Sequence, residues 1–128
     1  MSIPVYGNIT RPSSHEEGIK EIESNLIDWN LGDIEITFTS GEVVSMCPKT
    51  NQPDFNTVTI LYVPDKKYIE SKSMKFYLWS LMEYGIHCEK MCYEIAAEIK
   101  RVINCKKIVV EVKQNIRGGV ALSSKVEM

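Results

Sequence analysis

Residues 33–39 read DIEITFT, and residues 57–63 read TVTILYV. Apolar and polar residues alternate in the first stretch, which is typical of a strand with one buried face. The second stretch is rich in β-branched residues, which also favour a strand. Proline, asparagine and aspartate lie between the two stretches, so residues 45–55 are predicted to form a loop. We therefore expect two strands joined by this loop.

Two helical patterns and two further strands follow. In residues 71–84 apolar residues recur every three or four positions, and Gly85 is expected to end this helix. One apolar stripe predicts a second helix: Met91, Cys92, Ile95, Ala96, Ile99, Val102 and Ile103. Residues 107–113 alternate again, and a short strand over residues 120–122 follows a glycine-containing corner. The order ββααββ predicts an α+β fold, in which two helices cover one face of an antiparallel sheet.

The 128 residues allow one domain of ordinary size. The first thirty or so residues are polar and are interrupted by prolines and glycines, and a short helix is predicted over Glu16–Leu26. We therefore expect an N-terminal arm over residues 1–32 and a single domain over residues 33–128.

Charge and composition exclude several classes of partner. The net charge is −2, so no strong positive field attracts a nucleic acid or an anionic membrane. The chain has no apolar run of roughly 18 residues and no N-terminal secretory pattern. Four cysteines are too few for a disulfide scaffold. These features predict a cytoplasmic protein with reduced thiols, a small-molecule ligand, no membrane contact and no direct nucleic-acid contact.

The stretch CPKTNQPDF, residues 47–55, places a thiol and a carboxylate on the same predicted loop. Loops held by strands often carry catalytic groups, which makes Cys47 and Asp54 candidates. Alternatively, Cys47 is a small buried apolar residue and Asp54 is a turn residue. The spacing alone does not decide between these interpretations.

The stretch ESKSMKFY, residues 70–77, lies at the start of the first predicted helix. Ser71 is predicted to cap this helix. Lys72 and Lys75 are three positions apart and are expected to share one face, where their charges oppose the helix dipole. A bound phosphate would offset this cost, whereas the alternative is a solvated basic face.

Two further groups contain functional residue types. His87, Cys88 and Cys92 could hold zinc, but their spacing lacks a matching partner near Cys47, so core roles are favoured and no metal site is predicted. Arg117-Gly118-Gly119 forms either a simple hairpin corner or an arginine offered to a phosphate.

Together these motifs resemble those of the 7-cyano-7-deazaguanine reductases, the nitrile reductases of queuosine biosynthesis in tRNA modification. The resemblance runs from about Ile36 to Leu122. The family pattern of a cysteine followed by P-x-T-x-Q-P-D-F is matched at residues 47–55, and E-S-K-S-apolar-K-x-Y is matched at residues 70–77. A family glutamate and an R-G-G motif are matched by Glu89 and residues 117–119. The resemblance implies a tunnelling fold (T-fold).

The resemblance also implies an activity and a set of roles. The chain would be an NADPH-dependent oxidoreductase that reduces the nitrile to an aminomethyl group, with Cys47 forming a thioimide and Asp54 handling the proton. Implied substrate-binding residues are Glu70, Glu89, His87 and Cys88. Implied cofactor-binding residues are Ser71, Lys72, Lys75, Arg117 and Gly118. A homo-oligomer of paired pentamers is also implied, with residues 33–128 as its catalytic domain.

One departure from the family pattern leaves alternatives open. The family usually has an aromatic residue and a histidine before the glutamate, whereas this chain has His87 and Cys88. The protein could instead be an archaeosine-synthase-like transferase that forms an amidine on a base in a nucleic acid. It could also be a catalytically altered purine-binding homologue or a zinc-dependent cyclohydrolase, although Thr50 stands where the cyclohydrolase histidine would be. The retained lysines favour the reductase.

Overall fold

The computed structural model describes residues 11–128, so predictions for residues 1–10 of the arm lie outside the described residues. The described chain forms three α-helices and six strands. In chain order these are α1 (His15–Ser24), β1 (Ile27–Asp28), β2 (Ile36–Met46), β3 (Pro53–Val63), β4 (Lys67–Tyr68), α2 (Ser71–Ser80), α3 (Cys88–Ile103), β5 (Lys107–Arg117) and β6 (Val120–Glu127).

The main sheet is antiparallel and has the strand order β2-β3-β5-β6. From β2 onward the long strands and helices follow each other in the order expected from the sequence. The structure adds a small sheet in which β1 pairs with β4, and this pair was not predicted.

The loop between β2 and β3 is shorter than the sequence predicted. Ser45 pairs with Asp54 and Met46 pairs with Pro53, so the ladder extends to residues that were assigned to the loop. Pro53 is compatible with this ladder because it is the first residue of its strand. The loop therefore comprises residues 47–52, and Asp54 lies on a strand rather than on the loop.

Other boundaries also differ from the prediction. β2 begins at Ile36 rather than Asp33, and α1 is one residue earlier at its start and two residues shorter at its end. α2 ends at Ser80 and continues as a 3-10 turn over Leu81–Glu83. The Ser80 hydroxyl donates to the Tyr77 carbonyl oxygen at 2.6 Å, a local bond that competes with helix continuation.

The last two strands are much longer than predicted and form a tight hairpin. Arg117 pairs with Val120 across a two-residue turn. Gly118 and Gly119 both have positive φ angles, 58° and 80°, as the two central residues of a type I′ hairpin turn require. The hairpin places Arg117 at the end of β5, where it faces the start of β3.

One face of the sheet forms the core. β3 and β5 alternate buried and half-buried residues, and α3 packs across β5 and β6. The predicted apolar stripe of α3 is buried except for Val102, which is half-buried. α1 packs on α2, where Gly18 lies so close to Ser80 that a Cβ atom on residue 18 would be 2.2 Å from the Ser80 Oγ.

Within residues 11–128, no helix combines the length and hydrophobicity needed to cross a membrane.

Candidate active site

Cys47 lies on a closed loop directly after β2. Its N–H donates to the carbonyl oxygen of Gln52 at 2.8 Å, and its own carbonyl oxygen accepts from Asn51 at 2.9 Å. Asn51 has a φ of 57°, a left-handed conformation that asparagine tolerates well. The loop therefore fixes the backbone of Cys47, and the side chain remains half-buried rather than enclosed.

The Cys47 thiol is prepared for reaction by its own loop. Its pKa is lowered from 9.0 to about 7, chiefly by a hydrogen bond from the Thr50 side chain. The backbone groups of Thr50 and Lys49 add to this effect, and the charge of Arg117 makes a smaller contribution. Because the thiolate is the reactive form, a substantial fraction of Cys47 is nucleophilic at neutral pH.

Asp54 and Arg117 meet beside this loop. The Nη1 of Arg117 donates to the Oδ1 of Asp54. The side chain of Asp54 is only 8% exposed, whereas that of Arg117 is 48% exposed. We call the 47–52 loop together with Asp54 and Arg117 the Cys47 corner. It unites two candidate catalytic residues with an arginine that was predicted to bind the cofactor.

The segment before α3 is tied to the same corner through Met46. Met46 donates from its N–H to Tyr84 and accepts from the N–H of Ile86, at 3.4 and 3.2 Å. His87 follows as the exposed N-cap of α3, and its side chain makes no capping bond. Glu89 is exposed in the first turn.

Cys88 differs from its two neighbours because its side chain is buried. Its thiol lies 3.8 Å from the Val112 carbonyl oxygen and 3.9 Å from the Ser124 hydroxyl. Burial raises the pKa of this thiol. The predicted substrate residues therefore separate into exposed His87 and Glu89 and an inward-facing Cys88.

Glu70, rather than Ser71, caps α2, so the predicted cap was wrong. The Glu70 carboxylate accepts from the N–H groups of Lys72 and Ser73 at 2.6 and 3.1 Å. A carboxylate here also complements the positive end of the helix dipole, which explains why it displaces the neighbouring serine. Ser71 becomes the first helical residue and is exposed.

Lys72 and Lys75 do not share one cavity. Lys72 lines a cavity of about 420 Å³ between α1 and α2, and its Nζ lies 5.9 Å from the centroid of the Phe76 ring. Lys75 lines a cavity of about 550 Å³ between α2 and β2, together with Ser71 and Trp79. Neither cavity is lined by Arg117.

The larger cavity fits a nicotinamide dinucleotide in its chemistry. For a phosphate it offers one cation, Lys75, and three hydroxyls, those of Thr39, Ser40 and Ser71, beside one carboxylate, Glu42. Its remaining lining includes the aromatic side chains of Phe38 and Trp79, which suit a flat ring. Gly118 lies outside this cavity, in the β5–β6 turn.

The other cysteines have structural positions. Cys92 is buried on α3 and contacts the carbonyl oxygens of Val110 and Ser124 at 3.3 and 3.4 Å. Cys105 is also buried, and burial raises the pKa of both thiols. Among the described residues, no group of three or more histidine, cysteine, aspartate and glutamate side chains is placed to hold a metal ion.

A second polar cluster was not anticipated from the sequence. His15 contacts the Ser80 Oγ at 2.9 Å through Nδ1 and the Glu98 Oε1 at 2.8 Å through Nε2. The Tyr77 hydroxyl donates to the same Glu98 oxygen at 2.6 Å. We call these four residues the His15 cluster. It joins α1, α2 and α3, and sequence spacing gave no signal for it because the residues are far apart along the chain.

Thr50 was quoted in a motif, but its contact with Cys47 was also missed. The useful signal is its hydroxyl three residues after a cysteine on a turn-forming stretch, since such side chains often bond back within turns.

The fold is shared with a solved protein. The crystal structure of the archaeosine synthase QueF-Like in the apo form superposes with a TM-score of 0.65, at 19% identity, and covers 77% of this chain and 95% of that chain. The expected α+β tunnelling fold is thereby confirmed.

Sequence comparisons define the family. The family model described as QueF-like protein matches residues 53–128. An NADPH-dependent 7-cyano-7-deazaguanine reductase of Thermomicrobium roseum is 42% identical over 88 residues, 69% of each chain. The same-named protein of Chlorobaculum parvum is 40% identical over 69% of this chain and 76% of its own. The chain belongs to the QueF-like protein family.

Some relatives are considerably longer than the matched region. The reductase of Oceanobacillus iheyensis is 40% identical over 70% of this chain, but the match spans only 54% of that relative.

Proposed function

We propose that this chain is an NADPH-dependent oxidoreductase that reduces the nitrile of 7-cyano-7-deazaguanine to an aminomethyl group. The observation that carries the proposal is the half-buried Cys47 thiol, whose pKa is about 7 and which lies in the same corner as Asp54. Family membership supports it, because relatives with this activity in their names match 69% of the chain, and the family model covers Asp54, Glu70, Glu89 and Arg117.

Cys47 is the proposed nucleophile. A nitrile carbon is a weak electrophile, and a thiolate is a suitable attacking group at neutral pH. As the sulfur–carbon bond forms, one electron pair of the triple bond moves to nitrogen, which takes up a proton. The product is a thioimide, and Asp54 is the proposed group that handles this proton: as a carboxylate it accepts the proton that leaves the Cys47 thiol and passes it to the nitrogen.

The residues with proposed roles in substrate binding lie at the starts of two helices, Glu70 at α2 and His87, Cys88 and Glu89 at α3. Glu89 and His87 are exposed at the start of α3, where a carboxylate can accept from the ring N–H groups of the base. Glu70 can do the same only with lone pairs that its capping bonds leave unused. Cys88 is buried, so we propose that it packs inside the core and holds the start of α3 in place, without touching the substrate itself.

NADPH would supply the two hydride equivalents that convert the thioimide to the amine. Ser71, Lys72 and Lys75 are the proposed cofactor contacts on α2. Arg117 and Gly118 are the proposed contacts in the β5–β6 hairpin, where the glycine lets the backbone come close to a ligand. The lysines lie in separate cavities, and the cavity of Lys72 is also lined by the carboxylates of Glu17, Glu21 and Glu70, so Lys75 is the better placed of the two for a phosphate.

We also propose that the chain assembles as a homo-oligomer, as paired pentamers, in the cytoplasm. β2 and β6 are the edges of the main sheet, and each can pair with a strand of another copy. Residues 33–128 would be the catalytic domain, with residues 1–32 as an arm whose α1 rests on α2. Light scattering at micromolar concentration tests the assembly, and a monomer would contradict it.

The decisive experiment mixes the protein with 7-cyano-7-deazaguanine, follows the thioimide absorbance and then adds NADPH. We expect an adduct, followed by oxidation of two NADPH per base. Cys47→Ala should form no adduct, whereas Cys105→Ala removes a buried thiol next to the opposite end of β3 and should form it normally.

Other outcomes would redirect the proposal. An adduct that ignores NADPH but is consumed by ammonium would indicate the amidine-forming transferase. No adduct with folded wild-type protein would indicate a catalytically altered purine-binding homologue.

A further inference from the structure

Arg117 occupies a different place from the lysines with which it was grouped. Its guanidinium contacts the nearly buried carboxylate of Asp54, and it lines neither of the cavities that contain Lys72 and Lys75. The hairpin turn explains this position, because Gly118 and Gly119 reverse the chain immediately after Arg117. The arginine is thus presented to the catalytic corner by backbone geometry.

Arg117 also acts on the second catalytic candidate. It lies close enough to Cys47 for its positive charge to favour the thiolate. One cation therefore faces both the proposed nucleophile and the proposed proton-handling group.

The other surroundings of Asp54 supply little charge. Its partner across the ladder on β2 is the neutral Ser45, and the next inward residue on β3 is the neutral Asn56. Cys47 follows β2, and the Met46 contacts bring the backbone that precedes α3 next to the end of β2, with the exposed His87 and Glu89 following in the chain. Among these groups Arg117 is the one recorded in direct contact with the carboxylate.

We propose that Arg117 is a positioning residue for the Cys47–Asp54 pair, and that it holds Asp54 as a fixed anion beside the thiolate in the cofactor-free protein. A carboxylate that is nearly buried is costly without a partner, and a guanidinium contact favours its ionised form. Asp54 is therefore oriented before the substrate arrives. This inference deepens the proposed function and rests on it only for the roles of Cys47 and Asp54.

The test uses the full chain without nitrile or NADPH. Arg117→Met removes the charge but keeps a long side chain, Arg117→Lys keeps the charge, and Lys113→Met removes an exposed cation elsewhere on β5. Thermal melts establish that each variant is folded. Two readouts follow: the titration of the Asp54 carboxyl by carbon NMR, assigned with Asp54→Asn, and the pH profile of Cys47 alkylation by iodoacetamide.

We expect Arg117→Met to raise the midpoint of the Asp54 titration by about one pH unit or more. The alkylation midpoint should rise less, because Arg117 is the smallest of the influences on that thiol. Arg117→Lys should restore most of both midpoints, and Lys113→Met should change neither.

Unchanged midpoints in folded Arg117→Met would overturn the inference, as would equal shifts in Lys113→Met. Because neither readout involves the nitrile, the outcome of this test is independent of the proposed function. Shifted midpoints in a protein that forms no nitrile adduct would leave the inference standing and remove the function.

Discussion

The Cys47 corner and the His15 cluster both combine a hydroxyl or thiol with ionisable partners, but they differ in exposure. Ser80, His15 and Glu98 have the residue types of a hydrolase triad. However, Ser80 is fully buried and its hydroxyl already donates to the Tyr77 carbonyl oxygen. Cys47 is half-buried, and its loop stabilises the thiolate without covering it. Residue types alone therefore do not identify a site, whereas access to a reactive atom does.

Removing the Cys47 thiol should have the largest effect on nitrile-adduct formation. A small effect would contradict the comparison between the two regions. We expect Cys47→Ala to lower nitrile-adduct formation by at least about 10³-fold, because the corner contains no second thiol. When the folded Cys47→Ala variant is titrated with a thiol reagent, the fast-reacting thiol of the wild-type protein should be absent. Retained adduct formation would assign the chemistry elsewhere.

Disrupting the His15 cluster should affect stability instead of chemistry. His15→Leu removes contacts to Ser80 and Glu98 and should lower the free energy of unfolding by about 2 kcal/mol, measured by urea denaturation. His87→Leu changes an exposed histidine without a capping bond and should change it by less than about 0.5 kcal/mol. Loss of the adduct in a folded His15→Leu protein would place this cluster in the active site.

The pH dependence of Cys47 alkylation tests whether the Thr50 hydroxyl stabilises the thiolate. Thr50→Val should raise the Cys47 pKa from about 7 toward 9.0, so that less thiolate is present at neutral pH. A rise of one unit would lower the thiolate fraction at pH 7 from about one half to about one tenth, so the alkylation rate there should fall about fivefold and should recover above the new pKa. Thr37→Val is the control, because it makes the same change at an exposed position of β2. Identical pH profiles would show that the hydroxyl does not stabilise the thiolate.

The smallest effect is expected from an exposed ion pair. It gives a baseline against which the changes in the free energy of unfolding elsewhere can be judged. Lys67 and Asp28 are 2.7 Å apart, and their side chains are 47% and 88% exposed. Lys67→Ala should change the free energy of unfolding by less than about 0.5 kcal/mol, because water and salt screen such pairs. A change as large as that of His15→Leu would mean that the β1–β4 pair is structurally essential.

Local patterns predicted the elements of this fold but not their limits. Alternation in residues 33–39 identified β2, yet the strand continues to Met46 because its partner β3 extends the ladder. Pro53, one of the residues that indicated a long loop, is compatible with the first position of a strand. Ser71 has good capping propensity, but the preceding glutamate reaches the same N–H groups with a charged oxygen.

The candidate site was predictable only in part for a related reason. Cys47 and Asp54 occur in one short motif, so both were found from the sequence. The contact of Asp54 with Arg117 depends on the register of β3 and β5 and on the bulge between Gln114 and Arg117. Propensity and spacing contain no information about such a register. The sequence therefore predicted a cofactor role for Arg117 but gave no sign of its contact with Asp54.

The contact between Asp54 and Arg117 spans 63 positions along the chain, and both helices α2 and α3 lie within that interval. Contacts of such high sequence separation close slowly during folding, whereas helices and hairpins form early. We therefore expect a refolding chain to regain helical signal first and the fast-reacting Cys47 thiol last. The chemistry of this protein would then report completion of its folding, since the corner exists only when the sheet is assembled.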